Sequence, residues 1–437
     1  MFEKFKIFFL SLTLILCSGA LEAKILYVPQ EYESIQQAID LADRGDSIKV
    51  APGVYYENLI LRDGRNLVGS GADVTILTDD RDGAPDPIID IDGNCLLTGF
   101  TITGARGAGV GHAIMITRGG PFITDNWICD NCYTGIGIHS ETFLTNPLIV
   151  HNKVYGNGGA GIANLGEFSR AIIRDNDIYS NANAGVACTD NASPLIENNR
   201  IFNNGVGVAS KDSAKAVIVE NMIYRNKLTG VPVVKGGKAI IRKNQIIDNT
   251  TVGISVDENS EAWIIENKIV DNAADGVTIK RGSKAYIAFN QIASGISVAL
   301  ELNASQATVL RNEIFSRLNL NQIIMEGDLL ESAKLDVSDP HKYSGLGPGA
   351  LSLRESTYSA GGNKIGGWID LDRYSTIKRV PAEDLPLNPE VVELPPFRKE
   401  IKEPEILPEV LLHQSQELLN LPAPSKSFFG CFWPFKP

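Results

Sequence analysis

Residues 239–256 read AIIRKNQIIDNTTVGISV, and the chain repeats this pattern along much of its length. Each copy has the form x-x-I-x-x-N-x-I-x-x-N, followed by Gly and a short β-branched run. Copies begin at Pro121, Pro147, Ala171, Pro194, Ala216, Ala239 and Ala262, with weaker copies from Ala285 and Ala307. Self-similarity at a fixed period is the sequence signature of a solenoid.

The length of the repeat narrows the choice of solenoid. From Asn126 to Asn312, eight steps cover 186 residues, or about 23 residues per repeat. This is too short for paired-helix repeats, and the leucine pattern of a horseshoe is missing. Strands of three to five residues, rich in Ile and Val, can instead stack on their counterparts one coil away, about 4.8 Å apart. The pattern predicts an all-β, single-stranded parallel β-helix, right-handed like most parallel crossovers.

Two columns of asparagine recur within the repeat. Side-chain amides can bond to one another from coil to coil and satisfy the backbone at each turn, so we predict structural ladders rather than catalytic groups. The first column is Asn126, Asn152, Asn176, Asn199, Asn221, Asn244, Asn267, Asn290 and Asn312. The second is Asn131, Asn157, Asn181, Asn204, Asn226, Asn249 and Asn272.

Glycine and small residues mark two further columns. We expect positive φ at the recurring bend formed by Gly135, Gly161, Gly185, Gly230, Gly253 and Gly276. In the strand that follows, a small residue lies between two inward ones, and this predicts a flat exterior strip of Ala163, Ala187, Ala209, Ser255 and Thr278.

Composition excludes several classes of protein. The chain has 437 residues, 43% of them hydrophobic, which is too apolar for a disordered protein. Six cysteines are too few for a disulfide scaffold. A formal charge of −12 without a basic stripe argues against a nucleic-acid partner.

The first 23 residues have the layout of a secretory signal peptide. Lys4 and Lys6 precede an apolar run over 7–17, and small residues follow up to Ala23. A lipoprotein reading through Cys17 is less favoured, because the large Leu16 precedes it. No later apolar run has the length of a membrane span. We therefore expect an exported protein that is periplasmic, cell-surface or secreted, without a transmembrane helix once the signal is removed.

The rest of the chain divides into four parts. Residues 24–60 form an N-terminal cap and the first strands, with a capping helix over 34–45 that Ser34 and Gln37 begin and Gly45 stops. Residues 61–315 form the β-helix, and 316–380 form irregular last coils and a C-terminal cap. Residues 381–437 form an extended proline-rich tail with the aromatic end SFFGCFWPFKP. The tail would lie along the solenoid or contact an envelope protein.

Residues 27–61, YVPQEYESIQQAIDLADRGDSIKVAPGVYYENLIL, and 67–77, LVGSGADVTIL, resemble the N-terminal cap and first coils of pectin-lyase-like β-helix proteins. With the Asn-rich repeats, the chain is closest in character to the periplasmic NosD-like group of carbohydrate-binding and sugar-hydrolase-like proteins. The resemblance covers about residues 25–315. It implies a β-helix that binds or acts on polysaccharide.

The chain departs from the well-known enzymes of this fold. It lacks the Gln-Asp-Thr-Leu-like segment of pectin methylesterases and the Asn-Thr-Asp and Gly-His-Gly segments of polygalacturonases. The Asp-Pro-His-Asp motif of alginate-type epimerases is replaced by Asp339-Pro340-His341-Lys342 beyond the repeats. A divergent lyase that uses carboxylates around Ca²⁺ and an Arg or Lys base stays open.

Two columns carry candidate chemistry. Tyr155, Tyr179, Phe202 and Tyr224 share one repeat position, where aromatic rings could bind sugar rings or simply stabilise the sheet as a ladder. At the next position, Arg225, Asp248 and Asp271 are candidate catalytic residues, with two carboxylates about 4.8 Å apart. The alternative is a solvated charge ladder in which Arg225 neutralises Asp248.

Metal and thiol sites are weaker candidates. Asp80, Asp82 and Asp86 could bind Ca²⁺, although their spacing does not match an EF-hand, and a solvated loop is favoured. Cys129-x-x-Cys132 could close a small disulfide, but a copper site prompted by the NosD likeness would need a second ligand pair. The histidines at 112, 139 and 151 fall at different repeat positions. The sequence thus requires no cofactor, and Ca²⁺ is the ion its acidic clusters would suit.

These observations favour an exported β-helix that binds polysaccharide or a cell-envelope glycan along its lateral face, with a divergent polysaccharide lyase or glycoside hydrolase left open. The alternative is a non-catalytic envelope scaffold that holds another protein through its flat strip and aromatic tail. Fold alone does not decide between them.

Overall fold

The computed structural model describes residues 23–79, 87–106, 112–294, 297–316, 349–354, 356–366, 368–371 and 376–389. These residues form three long sheets in which each strand lies parallel to the equivalent strands of neighbouring coils. In the described part of the chain, sheet A has 15 strands: Ile25–Val28, Ser47–Val50, Asn66–Gly69, Leu96–Thr98, Phe122–Thr124, Leu148–Val150, Ile172–Arg174, Leu195–Glu197, Lys215–Val219, Lys238–Arg242, Glu261–Ile265, Lys284–Ala288, Gln306–Leu310, Thr357–Gly361 and Thr376–Arg379.

Sheets B and C have 13 strands each among the described residues. Sheet B contains Gly53–Tyr56, Thr75–Thr78, Thr101–Thr103, Trp127–Cys129, Lys153–Tyr155, Asp177–Tyr179, Arg200–Phe202, Met222–Tyr224, Gln245–Ile247, Lys268–Asn272, Gln291–Ser294, Glu313–Ser316 and Lys364–Gly366. Sheet C contains Leu59–Arg62, Ile89–Asp92, Ile114–Arg118, Ile136–His139, Ile162–Leu165, Ala184–Thr189, Val206–Lys211, Val231–Val234, Ile254–Val256, Val277–Lys280, Leu300–Asn303, Gly349–Arg354 and Trp368–Leu371. The predicted parallel β-helix is confirmed.

The core is a stack of aliphatic side chains inside the three sheets. Ile218 pairs with Ile241 in sheet A, and Ile223 pairs with Ile246 in sheet B. All four are fully buried, and each contributes about 2 kcal/mol of transfer free energy. Because equivalent residues of successive coils lie in register, one repeat can cover the apolar face of the next.

Both predicted asparagine ladders are present. Asn199 is typical: its Nδ2 donates to the carbonyl oxygens of Ile173 and Glu197 and to Oδ1 of Asn221, at 2.8–2.9 Å. Its Oδ1 accepts the backbone N–H of Asn176 at 3.0 Å. Every amide thus satisfies backbone groups at a turn while joining two coils, as buried polar groups require.

The residue before each ladder asparagine adopts a left-handed backbone conformation, which the sequence analysis missed. In the first column these residues include Glu220 (φ 56°), Lys243 (φ 57°) and Phe289 (φ 58°). Such side chains rarely adopt positive φ. We attribute the conformation to the asparagine that follows, because the hydrogen bonds of its side-chain amide to two coils fix the turn.

The prediction of positive φ at the recurring glycines is wrong. None of these six glycines, all within the described residues, has positive φ; they are required because the next coil approaches closely. A Cβ on Gly230 would lie 2.7 Å from both the carbonyl oxygen of Gly253 and Cγ2 of Ile246. The glycine column makes room for the coil that follows.

The one α-helix of the described residues, Ile35–Leu41, covers the N-terminal end of the core with Ile35, Ala38 and Ile39. Ser34 caps it by accepting the N–H of Gln37, as predicted, whereas the Gln37 side chain bonds the N–H of Glu33 rather than that of Ser34.

The predicted end of this helix at Gly45 is wrong. Ala42 is already extended, at φ −71° and ψ 141°. Beyond it, the Asp46 carboxylate accepts the N–H groups of Asp43 and Lys24, at 2.8 and 2.7 Å. These bonds hold the chain in a turn that leads into the strand Ser47–Val50, so the helix cannot continue to Gly45.

The described residues beyond 348 add strands to all three sheets. Asn363 extends the first ladder, since its Oδ1 accepts the N–H of Asn312 at 2.9 Å. Most of the tail predicted over 381–437 lies outside the described residues, as do residues 1–22. No helix among the residues described is both long and apolar enough to cross a membrane.

Candidate functional site

The predicted aromatic column forms on the outer face of sheet B. The rings of Tyr155, Tyr179, Phe202 and Tyr224 stack with centroids 4.9 Å apart and planes within 12° of parallel. Burial raises the pKa of the Tyr155 and Tyr179 hydroxyls. A side-chain hydrogen bond with Cys129 also raises the pKa of Tyr155. This geometry is that of a ladder that stabilises neighbouring coils.

Stacking limits what the column can offer a sugar. Inside the column each ring covers the face of the next, while Cys129 and Ile247 occupy the same position one coil beyond either end. Sugar C–H faces pack on ring faces, but this column presents mainly ring edges. Polar groups lie beside it: Arg200 lies 5.5 Å from the Phe202 centroid and 3.2 Å from an Asp177 oxygen.

The candidate catalytic residues lie at the ends of sheet B strands: Arg225 and Asp248 directly follow a strand, and Asp271 is the next-to-last residue of one. Arg225, Asp248 and Asp271 have φ values of 52°, 57° and 61° at equivalent corners of successive coils. Arg225 Nε lies 3.0 Å from Asp248 Oδ2, and both side chains are mostly exposed. The predicted neutralising pair therefore forms, in a setting where ion pairs contribute little to stability. A catalytic role for the three stays a prediction.

The candidate Ca²⁺ ligands Asp80, Asp82 and Asp86 lie outside the described residues. Within those residues, no group of three or more His, Cys, Asp or Glu side chains could hold a metal ion, so neither Ca²⁺ nor copper is assigned a site. Cys129 is buried and Cys132 exposed, and both thiols are free, so the structure contains no bond between them. Burial raises the pKa of Cys129 to about 11, which disfavours the thiolate needed for metal binding.

The strip of small residues lies on the outer face of sheet C, between larger outward side chains. Gly137, Ala163, Ala187 and Ala209 occupy successive coils in register. Ala163 is only 9% exposed and forms, with Ala160 and Ala184, a small cluster separate from the main core, against which Leu165 and Val206 pack. The strip is thus the floor of a shallow groove.

Two histidines close one end of this floor. The ring of His112 lies across Gly137, where an added Cβ would be 2.9 Å from Nδ1. His139, two residues along the same strand, has its ring centroid 5.2 Å away, and Tyr133 flanks His112 at 5.7 Å. His112 is 4% exposed. We call this site, with floor Gly137, Ala163, Ala187 and Ala209, the histidine groove.

Both imidazoles are neutral near pH 7. Burial, with a contribution from His139, lowers the pKa of His112 to about 4. Burial also lowers the pKa of His139, although Glu141 and Asp190 oppose this. Within the part of the chain that the structure describes, His112 Nδ1 and His139 Nε2 are buried without a hydrogen-bond partner. Buried polar atoms nearly always have one, so the pair suits a ligand that supplies the missing bonds.

One side of the groove is polar. His139, Leu165, Thr189 and Lys211 follow one another on successive coils, two residues beyond the floor. Thr189 Oγ1 donates to Asp212 Oδ2 at 3.0 Å, and Lys211 Nζ lies 3.3 Å from the same oxygen. The groove therefore combines small apolar groups with neutral donors and acceptors, as saccharide and other small-molecule sites do.

Sequence reasoning missed the histidine pair because the two residues lie at different repeat positions. The side chain of His112 reaches over the next coil, where it meets the outward side of Gly137. A signal was available: Gly137 begins the strip column, in register with Ala163, and its missing side chain leaves room for a large neighbour.

Comparison with known families agrees with this architecture. Residues 88–246 match the model "Right handed beta helix region", and residues 183–328 match "Periplasmic copper-binding protein (NosD)". No curated protein matches the chain significantly.

Solved structures give the same fold. The A-module of mannuronan C-5 epimerase AlgE6 from Azotobacter vinelandii is 16% identical, with a TM-score of 0.57 over 79% of this chain and 94% of that one. The periplasmic alginate epimerase AlgG is 14% identical, at 0.51 over 82% and 84%. The catalytic unit of the GH87 α-1,3-glucanase from Streptomyces thermodiastaticus is 13% identical, at 0.54 over 78% and 66%. At such identities the likeness concerns the fold. The chain is a parallel β-helix protein, and residues 183–328 are similar to the NosD family.

Proposed function

We propose that this protein is exported and binds polysaccharide in the histidine groove on its lateral face. The observation that carries the proposal is the pair of buried ring nitrogens, on His112 and His139, that have no hydrogen-bond partner at the end of a recessed strip. Each of these nitrogens is either a donor or an acceptor in a neutral imidazole, and a sugar hydroxyl can bond to either kind.

The shape of the groove supports a polymer rather than a small metabolite. Its uncovered floor from Ala163 to Ala209 crosses three coils, about 10 Å at the spacing of parallel strands. A chain of sugars lying along the solenoid axis would contact several coils at once. The solved β-helix proteins described above include alginate epimerases and an α-1,3-glucanase, which agrees with this class of ligand.

The aromatic column is a second candidate surface. Arg200, which bonds Tyr224 and pairs with Asp177, supplies polar groups beside the ring edges of Tyr155, Tyr179, Phe202 and Tyr224. A glycan bound there would use its hydroxyls on these groups rather than stack on ring faces. The non-catalytic scaffold that binds another protein is the third candidate.

Binding of soluble polysaccharides to two variants separates the surfaces. Ala187→Leu fills the floor of the groove, whereas Tyr179→Ala interrupts the column. We expect Ala187→Leu to weaken binding at least tenfold and Tyr179→Ala to leave it within twofold. Thr308→Leu, which places the same leucine side chain at an outward position of sheet A, is the control. The reverse pattern would move the site to the column, and no binding to any polysaccharide would favour the scaffold.

Turnover is tested on the same mixtures, with and without Ca²⁺, by measuring new reducing ends and unsaturated products. Reducing ends alone would indicate a hydrolase, and unsaturated ends a lyase. If turnover is found, the variants Asp248→Asn, Asp271→Asn and Arg225→Gln test the candidate catalytic residues. Activity unchanged in all three would remove them as candidates.

Export is tested on the mature protein. We expect the N-terminus of protein recovered from the periplasm or medium to lie close after Ala23. An intact Met1 on protein that remains in the cytoplasm would contradict this.

A further inference from the structure

We infer that the ligand of the histidine groove is an uncharged polysaccharide, recognised through its hydroxyl groups, and not a polyuronate. This inference rests on the proposed function and names the chemical class of its ligand. It follows from the charges that surround the groove and from the neutral state of its two histidines.

Carboxylates predominate around the groove. Glu141 and Asp190 act electrostatically on His139, and Asp212 bonds Thr189 at the side of the groove. Among the described residues, the cation in the side row of the groove is Lys211, whose ammonium lies 3.3 Å from Asp212. Lys235 also acts on Asp212. The two lysines are thus offset by three carboxylates in this region, and the whole chain carries −12.

The arginine that the structure describes at the histidine end of the preceding coil is also paired. Arg118, at the end of the strand Ile114–Arg118, lies 2.7 Å from an oxygen of Asp92. Segment 107–111, which lies outside the described residues, has the sequence GAGVG and so contains no charged side chain. A polyuronate would therefore bring one carboxylate per sugar to a region that already has an excess of negative charge, and like charges placed together disfavour binding.

Hydroxyl groups fit what the groove does contain. The unpartnered nitrogens, His112 Nδ1 and His139 Nε2, can each donate or accept one hydrogen bond, and the carboxylate of Asp190 accepts from O–H donors. The alanine floor admits the flat C–H side of a sugar close to the backbone. No group in this set requires a charged ligand to satisfy it.

Pairs of polymers that share a backbone test the inference directly. We would measure binding of the full chain to polygalacturonate and its fully methyl-esterified form, to carboxymethyl-dextran and dextran, and to alginate and carboxyl-reduced alginate. In whichever pair binds, the neutral polymer should bind at least tenfold more tightly than its charged counterpart in 20 mM NaCl. The difference should shrink in 200 mM NaCl, because salt screens repulsion between exposed charges.

Variants connect the preference to the groove. Asp190→Asn removes one exposed carboxylate and should narrow the difference between charged and neutral polymers. His139→Phe keeps an aromatic ring but removes both nitrogens, and should weaken neutral binding at least tenfold without lowering the melting temperature. His151→Phe is the control, since His151 is exposed on a turn.

The outcomes separate the two proposals. Equal or tighter binding of the charged polymer would overturn this inference and leave the proposed function standing. Binding of a neutral polymer that is unaffected by His139→Phe and by Ala187→Leu would overturn the groove as the site. Failure of all six polymers to bind the folded protein would overturn both.

Discussion

At the scale of single residues, His112 couples folding to pH. Its pKa is about 4 in the folded protein and 6.5 when unperturbed, so the unfolded state takes up the proton first as pH falls. Stability is therefore full above about pH 6.5 and declines between 6.5 and 4. At 1.36 kcal/mol per pKa unit, the loss reaches about 3 kcal/mol.

Urea denaturation at pH 7.5 and pH 4.5 tests this prediction. The variant His112→Phe should lose less stability between the two pH values than the native chain, and it should be about as stable at pH 7.5, because His112 Nδ1 has no hydrogen bond to lose. His151→Phe serves as the control. An identical pH dependence in His112→Phe would mean that other groups account for the acid sensitivity.

The ladder asparagines give a second prediction at this scale. Asn199→Ala removes one amide and leaves the N–H of Asn176 and the carbonyls of Ile173 and Glu197 without those bonds. We expect the free energy of unfolding to fall by about 3 kcal/mol. Asn183→Ala, on an exposed turn residue, should change it by less than about 0.5 kcal/mol. Similar losses in the two variants would show that the ladder is not a main source of stability.

At the scale of the repeat element, the glycine column depends on space rather than on backbone conformation. Gly230→Ala places a methyl group 2.7 Å from the next coil, and we expect a cost of about 1–3 kcal/mol. Gly236 has φ 71°, but a Cβ added there would have no neighbour nearer than Ser213 Oγ at 3.6 Å. Gly236→Asn should therefore cost less than about 1 kcal/mol, since Asn tolerates this conformation. Thermal unfolding of both variants measures the difference in stability. A larger loss of stability in Gly236→Asn than in Gly230→Ala would contradict the view that space, not backbone conformation, requires the glycine column.

The repeat element also shows how far sequence reasoning reaches. The strands and both ladders could be predicted because each column repeats one residue type, such as the isoleucines at 218 and 241. The left-handed turns could not, because Glu220, Lys243 and Phe289 have no shared chemistry and the asparagine that follows imposes their conformation. The end of the capping helix was misplaced for a related reason, since Asp46 holds the turn through tertiary bonds.

At the scale of the whole molecule, a solenoid must cover both ends of its core. Beyond the last strand of sheet A, Leu385 packs over the coil below, because a Cβ added to Gly361 would lie 2.5 Å from Leu385 Cδ2. Deleting 381–437 should lower the melting temperature by several degrees relative to deleting 390–437, which retains Leu385. Equal melting temperatures would mean that residues 381–389 do not protect the end.

The groove is also a property of the whole molecule, and this is why the sequence located its floor but not its end. Ala163, Ala187 and Ala209 repeat with the coil and could be predicted as a strip. His112 and His139 come from two coils and two repeat positions, and only the folded chain brings their rings within 5.2 Å. The aromatic column could be predicted for the same reason as the strip, but its face-to-face stacking could not.

The most direct test of the central claim is the ¹⁵N NMR signal of the histidine rings while a bound neutral polysaccharide is added. The chain has five histidines, and the variants at 112, 139 and 151 assign three of them. We predict that the ring nitrogens of His112 and His139 shift as they gain hydrogen bonds, while those of His151 do not. Saturating binding that leaves the His112 and His139 signals unchanged would contradict the assignment of the groove as the polysaccharide site.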